Sequence, residues 1–142
     1  MSFKVNGLDG LSLSLEELAA LPDTVQDRML LAGADVVAKA QKQKVLAYGI
    51  YDRDSTQHVA DAIKPGKVKL NRGERVVYVS PTGTRKRGNK TTRNAEILFI
   101  NEYGKKRQKA RPAVRDANEA CAAAMTQAQF EVYDQWLKSL GL

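Results

Sequence analysis

"AEILFINEYGKKRQKARPAVRDA", residues 95–117, is the stretch on which the reading of this fold turns. An apolar run, AEILFI (95–100), closes with Glu102, Tyr103 and Gly104, and Lys105, Lys106, Arg107 and Lys109 follow at once. At six residues the run reads equally as strand or short helix, because periodicity does not separate the two at that length. Pro112 is more decisive. Its missing N–H would be unpaired in the first turn of a helix anyway, and it disfavours a helical Arg111, so the chain must arrive extended and then turn into a helix. Basic residues just ahead of a helix N-terminus oppose the helix dipole, at a cost of about a few tenths of a kcal/mol per charge at the surface. The cluster therefore points to a partner: Lys105, Lys106, Arg107, Lys109 and Arg111 are expected to project from the connection as a docking surface.

Downstream, Val114, Ala117, Cys121, Met125, Ala128, Val132, Trp136 and Leu140 form one stripe of a C-terminal helix that Gly141 can cap. The small residues of NEACAAAM (118–125) would let another helix approach closely. Upstream, PTGTRKRGNKTTRN (81–94) has no apolar side chain beyond a threonine methyl or a proline ring. It is expected as an exposed basic loop or hairpin tip outside the core, mobile over 84–93, presenting Arg85, Lys86, Arg87, Lys90 and Arg93 to protein or DNA. GKVKL (66–70) and ERVVYVS (74–80) read as strands joined through Asn71-Arg72-Gly73, and VADAI (59–63) as a short helical turn. Ser14 and Glu17 have capping-box spacing, and Pro22 interrupts or restarts that helix. From Asp23 to about Leu46 the residues Val25, Met29, Ala32, Val36, Val37 and Ala40 mark a long amphipathic helix, ended by Tyr48, Gly49 and Asp52. The expected fold is α+β: long N-terminal and C-terminal helices on a small, mainly antiparallel sheet, in a single domain spanning 1–142.

Composition narrows the classes. With 142 residues and 43% hydrophobic content the chain can bury a core without disulfide or metal staples, and its single cysteine, Cys121, allows no internal disulfide. It has no apolar run of 18 residues, and MSFKVNGLDG lacks the apolar core of a signal peptide, so a soluble protein with no membrane partner is expected. The net charge of +7 is segregated. Residues 1–63 carry 6 Lys/Arg against 9 Asp/Glu, residues 64–115 carry 16 against 3, and residues 116–142 carry 1 against 4. Such asymmetry speaks of partners, polyanions or acidic protein surfaces, and not of fold.

Motifs for chemistry are near misses. GTRKRGNKT (83–91) resembles a phosphate-binding loop but has an extra Asn89, and the following TTRNAE is a poor helix, without which amides cannot be aimed at phosphates. Asp52-Arg53-Asp54-Ser55-Thr56 begins like a calcium loop, yet Gln57 and Ile63 occupy the positions that need glycine and a bidentate glutamate. His58 is the only histidine and Cys121 lies on an apolar stripe, while nothing positions a substrate between Glu96 and Glu102. No catalytic residue, metal site or cofactor is expected. A nucleic-acid-binding module is the alternative, with charge to grip phosphates but no recognition motif, Tyr78, Phe99 and Tyr103 reading as core aromatics.

The order of these elements, GLDGLSLSLEELAALPDTVQDRML, then ADVVAKAQ, then VYVSP, then residues 95–117 leading into the last helix, resembles the tail-completion and head-tail joining proteins of long-tailed bacteriophages and prophages. That family shows an apolar run ending in a Glu, an aromatic and a Gly, here Glu102, Tyr103 and Gly104. An Ala-Arg-Pro then opens the last helix, here Ala110, Arg111 and Pro112. Many relatives have Thr after the glycine and Phe after the proline, where this chain has Lys105 and Ala113, and an Asp-Thr-Gly turn where it has YDRDSTQ. The resemblance implies a non-enzymatic subunit that forms a homo-oligomeric ring at the neck or upper tail, with other neck and tail proteins as partners and DNA in the channel. It would occupy the host cytoplasm during assembly and then the virion.

Overall fold

The computed structural model describes residues 21–50, 58–87 and 89–141. The fold is α+β. Among the described residues three α-helices, α1 (Asp23–Ala47), α2 (Asn94–Tyr103) and α3 (Ala113–Ser139), and a 3-10 turn (Val59–Ala62) accompany six short strands, β1 (Ile63–Pro65), β2 (Lys69–Asn71), β3 (Glu74–Val76), β4 (Val79–Pro81), β5 (Thr84–Arg87) and β6 (Lys90–Arg93). The strands pair two by two, β1 with β4, β2 with β3 and β5 with β6, the last two pairs antiparallel. The Ser14–Glu17 capping box and the 52–56 stretch lie outside the described residues. The chain forms two compact units, divided within α1 at Val37 and within α3 at Ala120.

The first unit contains residues up to Val37, Pro65–Tyr78 and Cys121 onward. Pro22 lies just ahead of α1, and its carbonyl accepts from the Val25 and Gln26 amides. Leu21, Val25 and Met29 form the core, with Val132, Tyr133 and Trp136 packed against it. Gly33 leaves room for α3: a Cβ there would lie 2.8 Å from Gln129 Nε2. The β2–β3 hairpin turns on Arg72 and Gly73 alone, φ 52° and 80°, the doubly left-handed geometry of a type I′ turn. Arg75 on β3 holds it to α1, with Nε donating to Asp27 Oδ1 at 2.6 Å. Leu140, assigned to the apolar stripe, is exposed, as are Ala122, Ala123 and Ala124.

The second unit, Ala38–Lys64 with Val79–Ala120, has its own core. Ala38, Val45, Ile50, Val59, Ala60, Ile63, Ile97, Leu98 and Ala113 are buried there, and Tyr48, Val79 and Val114 pack on them. Val45 and Ile63 are fully enclosed, each contributing about 1.5–3 kcal/mol by leaving water. The buried positions of α1 in this unit are Ala38, Gln41 and Val45, while Ala40 of the sequence reading is half-buried, and polar Gln41 shares the inner face and donates to Asn118 Oδ1. The run AEILFI is helical. Its buried positions are Asn94, Ile97, Leu98 and Asn101, one face at helical spacing with an asparagine at each end.

Candidate functional site

The corner between α2 and α3 is built from the motif residues. Gly104 ends α2, its amide donating to the Ile100 carbonyl at 2.8 Å, with φ 78° and ψ −179°, a conformation essentially restricted to glycine. A Cβ there would also meet the Gln108 carbonyl oxygen at 2.8 Å and the Ala110 nitrogen at 2.9 Å, both backbone. Lys105 and Gln108 exchange two backbone hydrogen bonds, at 3.0 and 2.9 Å, closing a tight turn with Lys106 and Arg107 at its tip. Lys105, Lys106, Arg107 and Lys109 are exposed, as is Ala110.

Arg111 corrects the reading of a uniformly projecting cluster. Its side chain is half-buried: Nη1 donates to the Tyr48 carbonyl at 3.1 Å, Nη2 to Asn101 Oδ1, and its own amide to the Asn101 carbonyl at 2.6 Å. It ties the end of α1 to the corner. Pro112 then leads into α3 as its spacing indicated, and the helix's exposed N–H groups are met by a residue twelve and thirteen positions back. Glu102 accepts from the Val114 amide through Oε2 and from the Arg115 amide through Oε1, both at 2.9 Å. A carboxylate at a helix N-terminus matches both the unpaired donors and the dipole, and it counters the basic residues nearby. Beside it, the Tyr48 hydroxyl donates to Asp116 Oδ2. That bond, with burial adding to it, raises the Tyr48 phenol above its ordinary value, and it holds the Asp116 carboxyl below the ordinary range.

The aromatics of α2 are not core residues. Phe99 is 63% and Tyr103 70% exposed, their rings 4.8 Å apart, because the inner face of α2 passes through Asn94, Ile97, Leu98 and Asn101. Tyr78 is exposed too, its hydroxyl accepting from Asn71 Nδ2. Phe99 and Tyr103 border an open groove of about 450 Å³ with Val79, Pro81, Leu98 and Val114.

The 81–94 stretch is an antiparallel hairpin, registered Thr84 with Arg93, Arg85 with Thr92, Lys86 with Thr91 and Arg87 with Lys90. The expectation that it adds nothing to a packed interior is corrected at both ends, since Pro81 and Asn94 are buried. Asn94 closes the hairpin, donating to the Thr82 carbonyl at 2.8 Å and accepting from Arg85 Nε at 2.9 Å. Lys86, Lys90 and Arg93 are exposed, whereas Arg85 is half-buried. The strand at 90–93 separates the glycine-containing stretch from α2, which begins only at Asn94, so the phosphate-loop likeness has no helix in the required place. On the inner side of the hairpin, Arg85 and Thr92 line a cleft of about 210 Å³ with Ile97, Asn101, Lys105, Gln108 and Arg111. Among the described residues, ion pairs join Arg75 to Asp23 and Asp27, Arg115 to Asp116, and Lys138 to Asp134. Arg85, Lys86, Lys90 and Arg93 of the hairpin and Lys105, Lys106, Arg107 and Lys109 of the turn are in none of these.

The chain matches no known protein family, no characterised protein and no solved structure.

Among the described residues no three His, Cys, Asp or Glu side chains are grouped to hold a metal, and no helix is long and apolar enough to cross a membrane. Burial pushes the Cys121 thiol up, away from the reactive thiolate. Asn94 and Asn101 were missed by sequence reasoning. Their one signal was seven-residue spacing around Ile97 and Leu98, which places both on the buried side of a helix.

Proposed function

We propose that this chain is a non-enzymatic structural subunit of the head-tail interface or tail terminus of a long-tailed bacteriophage, assembling as a ring that helps join capsid to tail. The observation that carries this reading is the open groove with Phe99 and Tyr103 on its rim, next to the exposed Lys105–Lys109 turn. Exposed aromatics around an apolar floor mark contact surfaces, where such side chains supply large area at small entropic cost. The family likeness supports it as well, since Glu102, Gly104 and Pro112 have architectural roles at the corner that presents this face. In the ring, the groove takes part of a neighbouring copy of the chain, and the basic turn meets an acidic surface of that copy or of the next ring. Residence is the host cytoplasm during assembly and the virion afterwards.

The test is complementation of a phage lacking the gene. Phe99→Ser with Tyr103→Ser, and separately Lys105, Lys106, Arg107 and Lys109 all to Ser, should fold with little change in melting temperature yet reduce joined particles by an order of magnitude or more, an expectation from the loss of central interface side chains. Normal joining by both variants would sink the reading. The exposed cations of the hairpin, Lys86, Lys90 and Arg93, favour a second reading, a nucleic-acid-binding module. Duplex binding by the isolated protein, falling steeply with salt and with no ring visible by electron microscopy, would favour that one.

A further inference from the structure

We propose that the cleft between the β5–β6 hairpin and the 105–108 turn is a seat for a phosphate group. Cationic side chains from three separate segments converge there, Arg85 from β5, Lys105 from the turn and Arg111 from the approach to α3, and none of the described residues lining the cleft is a carboxylate. Arg111 is occupied by backbone carbonyls and Asn101. Arg85 is not: it is half-buried, its Nε alone donates, to Asn94, and its two terminal nitrogens have no acceptor among the described residues. Lys105 has no ion-pair partner there either. A half-buried guanidinium whose terminal donors have no acceptor among the described residues is unfavourable, and an anion seated between it and the exposed Lys105 supplies the missing acceptors.

The donors select among anions. Arg85, Lys105 and Thr92, which line the same cleft, can offer a guanidinium edge, an ammonium and a hydroxyl to one ligand. A free phosphate brings up to two charges and three strong acceptor oxygens against the one charge and two oxygens of a carboxylate, and a backbone phosphodiester brings one charge and two non-bridging oxygens that the guanidinium fork also matches. The cleft, at about 210 Å³, is smaller than the roughly 300–1,000 Å³ of sites that enclose a whole small ligand, so it takes one phosphate and leaves the rest of the molecule outside. The phosphate is either free or part of a nucleic-acid backbone, whose neighbouring phosphates would pass the exposed Lys86, Lys90 and Arg93. The inference does not rest on the joining reading: a ring can assemble with the cleft empty, and a chain that forms no ring can still bind phosphate here.

The experiment uses the full chain and two probes, inorganic phosphate followed by amide NMR shifts, and a fluorescein-labelled 12-base-pair DNA duplex followed by anisotropy from about 50 to about 200 mM salt. Phosphate should produce saturable shifts at Thr92, Lys105 and Gln108. Arg85→Ala and Lys105→Ala should each weaken it about tenfold, the scale of a lost charge-assisted contact, and Arg85→Lys should lie between. Lys64→Ala, which removes an exposed cation away from the cleft, should leave binding within about twofold, as for a screened surface charge. If the source is a backbone, the duplex binds, free phosphate competes with it, and each cleft variant lowers the salt slope by about one. If only inorganic phosphate binds, the site stands and its ligand is the free ion. Shifts that never saturate, equal weakening by Lys64→Ala, or an acidic peptide that occupies the cleft and is not displaced by phosphate would each overturn the proposal. Arg85→Lys, which keeps the charge, separates loss of binding from loss of fold should Arg85→Ala melt.

Discussion

Glu102 decides how the corner is made. Its carboxylate reaches two amides of α3, and the proline at the helix start has no side chain able to do so. Glu102→Ala should therefore cost about 1–2 kcal/mol, the range for losing an N-terminal cap, and Glu102→Gln less, since one acceptor oxygen remains while the charge that favours the dipole is lost. Urea unfolding of the three proteins checks the order. Gly104 belongs to the same corner, with its φ of 78° and backbone atoms under 3 Å from any added Cβ. The Glu-aromatic-Gly and Ala-Arg-Pro pattern was legible in the sequence as a motif. The role of each member was not, because every partner except the chain's own turn lies ten or more residues away: Glu102 with Val114, and Arg111 with Asn101 and Tyr48.

At the scale of elements, α2 shows why a short apolar run resists assignment. Its inner face carries two asparagines and its outer face carries Phe99 and Tyr103, so hydrophobicity and burial are out of phase and only neighbours for Asn94 and Asn101 resolve the helix. The α1 and α3 boundaries were legible because Pro22, Gly49 and Pro112 act through local geometry. Just past the end of α1 the Tyr48 hydroxyl bonds Asp116 of α3, and the pair has a pH signature. Asp116 is held below its ordinary value of 3.8, so its contribution is present above that value and is lost as pH falls through the lower folded value. Tyr48 is raised above 10.0, so its contribution is present below that value and is lost as pH rises through the higher folded one. Tyr48→Phe should lower the melting temperature by a constant amount between about pH 5 and 9, with the difference shrinking in acid below the carboxylate range and in strong base. A difference that grows in acid would contradict this sign.

For the whole molecule, the basic middle and the acidic flanks predict a contact between copies that salt weakens, because exposed charges separated by more than about 8–10 Å are screened near physiological ionic strength. Sedimentation at low and high salt measures it, and an oligomer that is unchanged or strengthened by salt would assign the contact to the apolar groove instead. Sequence alone determined the α+β class, both long helices, a hairpin through Asn71-Arg72-Gly73 and the concentration of positive charge, since periodicity, proline, glycine and net charge act over a few residues or need no geometry. Only the tertiary structure decided that Arg111 turns inward, that Phe99 and Tyr103 face outward, and that Arg85 and Lys105 share one cleft. Those facts depend on which residues distant in the chain become neighbours, and a buried asparagine or a paired carboxylate looks the same in sequence as one left in water.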